Sequence, residues 1–364
     1  MNSPRFLPGG ELSRRFYELG VRPVLQREFP RLKYSAGLLG DGSEVLGFDT
    51  PRSRDHNWGP RCKLFLSERD YSALRRRIDR ALGVSLPLEV CGYPTNWRTE
   101  GAERTQFPHR VTHGPVSHRA DISTVRRFFR RPVAVDLTRP LAPADWLVVP
   151  QHELGELTGG AVFHDGLGTL EPLRRRLRWY PDQVWRYVLA AQWARIGQEE
   201  PFPGRTQQVG DELGSRVLMA RLVRDVMWLC FLMERRWAPY SKWFGTAFSR
   251  LRCARRMGPV LLAALAAGGW KERERHMSRA YEHAARMHNA LGLTRPLPTK
   301  VSLFHTRPFL VIHADVFADA LQATIRDPRV RALPKFAGSV DTFSDCTDVM
   351  DRPELCRKLK VLYR

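Results

Sequence analysis

At 364 residues and 43% hydrophobic content, the chain exceeds what one hydrophobic core usually serves, which predicts two packed units and excludes a disordered or fibrous chain. The formal net charge is +21, from 59 Lys and Arg against 38 Asp and Glu, and all but eight of the cations are Arg. Such a balance attracts polyanions, nucleic acid or a nucleoside triphosphate, unless the Arg residues are only spread over solvated faces.

The six cysteines show no CxxC or Cys/His spacing, so neither a zinc site nor a disulfide framework is expected. MNSPRFLPGGELSRRF lacks the apolar core of a signal peptide, and LLAALAAGG (261–269) is too short to span a membrane. A reducing cytoplasm is the expected location.

In chain order, Leu12, Phe16 and Leu19 keep helical spacing, and Pro23 must bend or end that helix. LKYSAGLLG reads as a strand ending in a Gly turn. VLGF and the segment through HNWGPRCKLFL form a second extended region, with Pro60 marking a break or an edge. SERDYSALRRRIDRALG (67–83) predicts a helix with Ser67 as N-cap, Asp70 at its third position and Gly83 closing it. LPLEVCGYP (86–94) is expected as the next strand. Residues 95–165 read as loop-rich, with short apolar pieces PVAVDL and WLVVP. From 171 the pattern is helical, through EPLRRRLRWYPDQVWRYVLAAQWARIGQEE and TQQVGDELGSRVLMARLVRDVMWLCFLMERR to about residue 292. After Pro296, VSLFHTRPFLVIHADVFADALQATI predicts a strand and a helix, then a polar tail. The expected organisation is α+β: a mixed-sheet domain over 1–165, then a helical bundle over 166–364, with the active cleft between them.

The front end places Gly42 and Ser43 in a turn, Asp55 and Asn57 two residues apart, and Glu89 in an apolar stretch. A Gly-Ser turn offers backbone N–H groups and a hydroxyl to phosphate oxygens. On a strand, Asp55 and Asn57 would share one face and could reach a hard cation such as Mg²⁺. Glu89, between Leu88 and Val90, would need a partner, a metal or a raised pKa.

GS…S-x-D-x-N followed by a helix and LPLEV resembles the nucleotidyltransferase superfamily, and LPLEVCGY is similar to the Glu-bearing strand of aminoglycoside adenylyltransferases. The longer words GSEVLGFDTPRSRDHNWGPR, YPDQVWRYVLAAQWARIGQEEPFPGR, VGDELGSR, APYSKWFGTAF and RPFLVIHADVF resemble domain-of-unknown-function family 4037, a nucleotidyltransferase-like family with a helical C-terminal half. The resemblance implies that Gly42 and Ser43 hold phosphates, that Asp55, Asn57 and Glu89 bind Mg²⁺ or Mn²⁺, and that Asp55 and Glu89 act in catalysis. The implied activity is metal-dependent transfer of a nucleoside monophosphate from an NTP, ATP first, to a hydroxyl of a small molecule.

The superfamily has an acid where Asn57 stands, and aligning its Ser on Ser53 would instead put Arg54 and His56 at the acidic positions. Two alternatives therefore stand beside transfer to a small molecule. One is a non-catalytic nucleotide- or RNA-binding protein on a degenerate nucleotidyltransferase fold; the other is transfer to a protein or RNA acceptor.

In the helical half, QEEPFPGRTQQVGDELGSR (198–216) offers Glu199, Glu200 and Asp211 to a cationic acceptor, polyamine or aminoglycoside-like, and Arg205 to a phosphate. The structural alternative is that Asp211 and Glu212 favour a helix N-terminus and pair with Arg. Trp237, Tyr240, Trp243 and Phe244 could stack a base while Lys242 meets a phosphate, or could pack between helices.

Overall fold

The computed structural model describes residues 4–101, 105–130 and 135–364. The chain forms two compact units, Met1–Pro140 with Glu153–Arg178, and Leu141–His152 with Trp179–Arg364. The fold is α+β, with one mixed sheet and a helical C-terminal region. Its division is not a single cut at 165. Residues 141–152 go with the helical unit because Trp146 packs edge-on against Tyr180, Asp145 meets Lys360 at 2.7 Å, and Asp341 accepts from the Gln151 N–H.

The first unit opens with α1 (Gly9–Phe16), a π-helical turn (Tyr17–Val21) and α2 (Arg22–Glu28). Pro23 sits directly after the π-helical turn, inside a helical run that continues from Gly9 to Glu28, so it coincides with an irregular turn rather than with a helix end. β1 (Tyr34–Leu38) and β2 (Arg61–Leu66) run antiparallel, with Gly37 opposite Lys63. α3 (Glu68–Ser85) is capped by Ser67, whose hydroxyl accepts from the Asp70 N–H at 3.0 Å. α3 runs through Gly83 instead of stopping there. The Gly83 carbonyl accepts from Val116, and a Cβ at this position would stand 3.3 Å from the Val116 oxygen.

LPLEVCGYP does not join the main sheet. It forms a two-strand hairpin, β3 (Glu89–Val90) against β4 (Tyr93–Pro94), around Cys91 and Gly92, both with positive φ. A second hairpin pairs β5 (Trp97–Glu100) with β6 (Thr105–Pro108). The third strand of the sheet is β7 (Arg119–Thr124), parallel to β2 and followed by α4 (Val125–Arg130). The first half of PVAVDL lies outside the described residues, and WLVVP enters the short helix α5 (Pro143–Leu147). α6 (Gln151–Thr158), β8 (Ala161–Asp165) and α7 (Leu170–Leu177) follow. The sheet order is β7-β2-β1-β8.

Alternation along these strands separates two faces. Tyr34, Ala36, Cys62, Leu64, Leu66 and Ala120 enter a core with Phe16, Val21, Leu25, Ile78 and Leu82 of the helices. Lys63, Arg119 and Asp121 fall out of phase with that set and lie on the other face.

The helical unit contains α8 (Asp182–Glu199), α9 (Phe202–Gln208), α10 (Glu212–Met233), α11 (Ser241–Phe248), α12 (Ala254–Ala266) and α13 (Trp270–Ala290). The segment read as a loop at 198–216 therefore contains α9. A hairpin of β9 (Ser302–Phe304) and β10 (Arg307–Val311) leads into α14 (Ala314–Ala323), which packs on α8. Among the described residues no helix is long and apolar enough to cross a membrane.

Candidate phosphate-binding site

Beyond β1 the chain reverses through Gly40 (φ 92°) and Gly42 (φ 130°), backbone angles that an L side chain strains to adopt. The Gly42 carbonyl accepts from Val45 and Leu46, and that of Ser43 from Phe48. The N–H groups of Gly42, Ser43 and Glu44 take no part in these bonds. The turn thus has the donors that suit an anion.

β2 begins beside this turn because it runs antiparallel to β1, and β7 joins it in parallel register. Arg61 pairs with Arg119 and Lys63 with Asp121. Arg61 is 2% exposed and bonds Glu44, itself 3% exposed, at 2.6 Å; a second guanidinium bond reaches the Asp41 carbonyl at 2.5 Å. The turn is therefore tied to the first residue of β2 by a buried ion pair. Lys63 meets Asp121 at 2.7 Å, and Arg119 reaches the same carboxylate at 3.4 Å while bonding the Gln106 amide oxygen. Burial pushes the Asp121 carboxyl up, but Lys63 and Arg119 outweigh it and hold the pKa below the ordinary carboxylate value. At Asp41, desolvation likewise works against Arg61 and Lys63, and the cations win. Both carboxylates are ionised at neutral pH, and three cations gather around them.

Several expected site residues stand elsewhere. Asp55 closes a 3₁₀ turn, Pro51–Asp55, started by a reciprocal cap between Thr50 and Ser53, and its side chain lies outside the described residues. Asn57 has φ 51°, its N–H bonds the Gln106 carbonyl at 2.7 Å, and its side-chain oxygen accepts from the Gln106 N–H. Asp55 and Asn57 therefore do not alternate along one strand face, because one ends a helical turn and the other is left-handed. Glu89 is exposed on its hairpin, paired with Arg110. That pairing answers its need for a partner without a metal, and places the residue off the sheet that carries the turn.

In the helical unit, Asp211 caps α10 by accepting from the Gly214 N–H at 2.7 Å, the structural alternative read from the sequence. Arg205 is exposed and bonds Gln208, and Glu199 pairs with Arg221 at 2.6 Å. Glu200 accepts from the N–H groups of Ile312 and Ala314 on either side of left-handed His313. Trp237 packs on Trp179 and Tyr180, and Phe244 on Trp228 and Phe231, so these rings serve packing. Lys242 is exposed, its ammonium 5.2 Å from the Trp243 ring centre.

Arg61, Lys63, Arg119 and Asp121 were not among the residues singled out from the sequence. The cations of RCK and the alternation in RADIST were the available signals.

A family model described as a domain of unknown function (DUF4037) matches residues 146–244. No curated protein matches the chain. Among solved structures, a nucleotidyltransferase-like protein from Exiguobacterium sibiricum is similar at 11% identity, over 76% of each chain, with a TM-score of 0.32.

Proposed function

We propose, for a chain that carries the DUF4037 domain over residues 146–244, that the Gly40–Ser43 turn and the cations at the same end of the sheet bind the phosphates of a nucleoside triphosphate. The observation that carries this reading is the convergence of Arg61, Lys63 and Arg119 beside a turn whose Gly42 and Ser43 N–H groups, among the described residues, are left for an external acceptor. Each N–H or cation on a phosphate oxygen is a charge-assisted bond, roughly twice as strong as a neutral one. Arg61 acts indirectly, by fixing the Asp41 carbonyl and so the shape of the turn.

Nucleotidyl transfer on Mg²⁺ or Mn²⁺ is the finer reading, motivated by the resemblance of SRDHNW to the superfamily pattern. Among the described residues, the expected ligands Asn57 and Glu89 do not fit a divalent ion. Asp121 is taken by Lys63 and Arg119, Glu44 by Arg61, Glu89 by Arg110, and the Asn57 oxygen by a backbone N–H. A hard cation asks for several oxygens free to turn toward it. No catalytic step is derived through such an ion.

The test is calorimetric titration with ATP, GTP, CTP and UTP, in Mg²⁺ and in chelator, on wild type, Lys63→Met and Arg119→Met. Binding that persists in chelator and weakens at least tenfold in both variants supports the phosphate site. Binding that requires Mg²⁺, with pyrophosphate release on adding an amino-sugar or polyamine acceptor, would replace it with the transfer reading. Salt-sensitive RNA binding with no nucleotide binding would point to nucleic acid instead.

A further inference from the structure

From Arg235 through Lys271 the chain has eight Lys and Arg and no Asp or Glu. About a tenth of the residues therefore supplies more than a third of the +21 excess, and all eight cations are exposed. Elsewhere on the helical unit Arg residues are balanced within a turn, as Arg186 is by Asp182, Arg216 by Glu212 and Arg329 by Asp327. The positive charge is concentrated rather than spread.

Packing brings these cations together. Glu234, at the end of α10, accepts from the backbone N–H groups of Arg252 at 2.9 Å and Cys253 at 2.7 Å, which fixes the start of α12 against that helix end. α12 and α13 are joined by three residues, Ala267 to Gly269, and pack as an antiparallel hairpin. Arg255 and Arg256 therefore lie across from the stretch of α13 that carries Arg279 and His283. On α13, Arg279, His283 and Arg286 repeat at helical spacing and share one face. The His283 ring is pushed below its ordinary pKa by burial first and then by Arg286 and Arg256, so cations reach it from both helices.

Few acids answer this charge. Glu234 meets Arg252 at 3.4 Å, but that Arg side chain is 90% exposed, and Glu282 is shared by Arg286 at 3.8 Å and Lys300 at 3.0 Å. Among the described residues Arg255, Arg256 and Arg279 form no ion pair. α11 connects α10 to α12 and packs on the same end of α10, where Phe244 and Phe248 meet Phe231. That packing leaves Lys242 exposed, with Tyr240, 40% exposed, at the helix start.

We propose that this face, built on Arg252, Arg255, Arg256, Arg279 and Arg286, binds the phosphodiester backbone of a single-stranded nucleic acid. Guanidinium groups bond phosphate oxygens through paired N–H donors, and a group of unbalanced cations gains from releasing the strand's counter-ions. A single strand fits better than a duplex, because Tyr240 and Lys242 present an open ring beside a cation, which suits an unpaired base and its phosphate. A membrane surface fits less well. Its binding calls for aliphatic side chains set among the cations, and the exposed Leu262 and Leu265 lie in the other half of α12, toward the hairpin turn. The face lies wholly within the helical unit and does not depend on the nucleotide reading of the first unit.

The experiment follows the fluorescence anisotropy of labelled single-stranded RNA and DNA, each about twenty nucleotides long, as the full chain is added at about 50 to 200 mM KCl. Five phosphate contacts on a single strand predict a slope of log affinity against log salt of about −3.5. Saturable binding of either strand with that slope supports the proposal, and a preference between the two identifies the sugar. Combining Arg255→Gln, Arg256→Gln and Arg279→Gln removes three contacts, and should reduce the slope to about −1.4 and weaken binding about tenfold or more. All three side chains are exposed, so circular dichroism and the ATP titration should match wild type. Lys63→Met is the converse control and should leave strand binding as it is. Absence of strand binding, a folded triple variant that binds like wild type, or tighter binding of the matching duplex would each overturn the proposal.

Discussion

Replacing Arg61 by Met tests whether the buried ion pair builds the turn. The substitution keeps the aliphatic stem, removes the charge that balances Glu44 at 2.6 Å, and cuts the bond to the Asp41 carbonyl. Removing one partner of a buried pair costs about 3–5 kcal/mol, because the remaining charge has neither water nor counter-ion. With Arg61 and Glu44 only 2% and 3% exposed, a loss near 4 kcal/mol is expected. Adding Glu44→Leu removes the stranded charge and should restore most of that stability. The Asp41 carbonyl stays untethered in the double variant, so nucleotide affinity should remain at least tenfold down.

Amide hydrogen exchange of β1 and β2, read by mass spectrometry, localises the stability effect to this unit. A loss near 4 kcal/mol corresponds to about a thousandfold fall in protection. Calorimetry with ATP reads the affinity. A single variant that costs under about 1 kcal/mol would refute the buried-pair reasoning. A double variant that regains nucleotide binding together with stability would refute the role given to the Asp41 tether.

Gly42→Ala should destabilise the unit by about 1–3 kcal/mol from backbone strain alone and weaken nucleotide binding, since its Cβ would stand 2.3 Å from an Arg61 nitrogen and 2.6 Å from a Glu44 oxygen; a neutral substitution by urea melt would contradict the close approach. Burial raises the Glu200 carboxyl to about 7 against 4.5 unfolded, so the native chain holds an extra proton in that window. Stability from this group falls as pH rises through it, by about 3 kcal/mol, and Glu200→Gln should remove the slope. His288 shifts the other way: burial lowers it to about 4 from 6.5, with Trp193 donating to Nδ1 at 3.2 Å. Its contribution is therefore lost as pH falls from 6.5 through 4, again by about 3 kcal/mol, and NMR should show a neutral Nε2–H ring down to about pH 4.5. The two slopes oppose each other between 4.5 and 6.5, with Asp341, raised by burial to about 6, adding to the Glu200 side, so Glu200→Gln should shift the wild-type profile toward the histidine slope.

Local chemistry by itself determined the helical half, the Ser67 cap and the Gly-Ser turn at the end of β1. Helical periodicity, an N-cap hydroxyl and a glycine with positive φ are each specified by neighbours within a few residues. The alternative roles for Asp211, as a cap, and for Trp237 and Phe244, as packing, were legible for the same reason. Strand partnership was not legible. LPLEV and RADIST both alternate, yet only RADIST pairs with β2, because a parallel partner more than fifty residues away is chosen by tertiary packing rather than by local pattern. That choice put Asp121, with Lys63 and Arg119, beside the turn and left Glu89 outside with Arg110. SRDHNW read as part of an extended region on which Asp55 and Asn57 would share one face. Thr50, Pro51 and Ser53 instead wind it into a 3₁₀ turn, and pairing with Gln106 across a loop holds Asn57 left-handed.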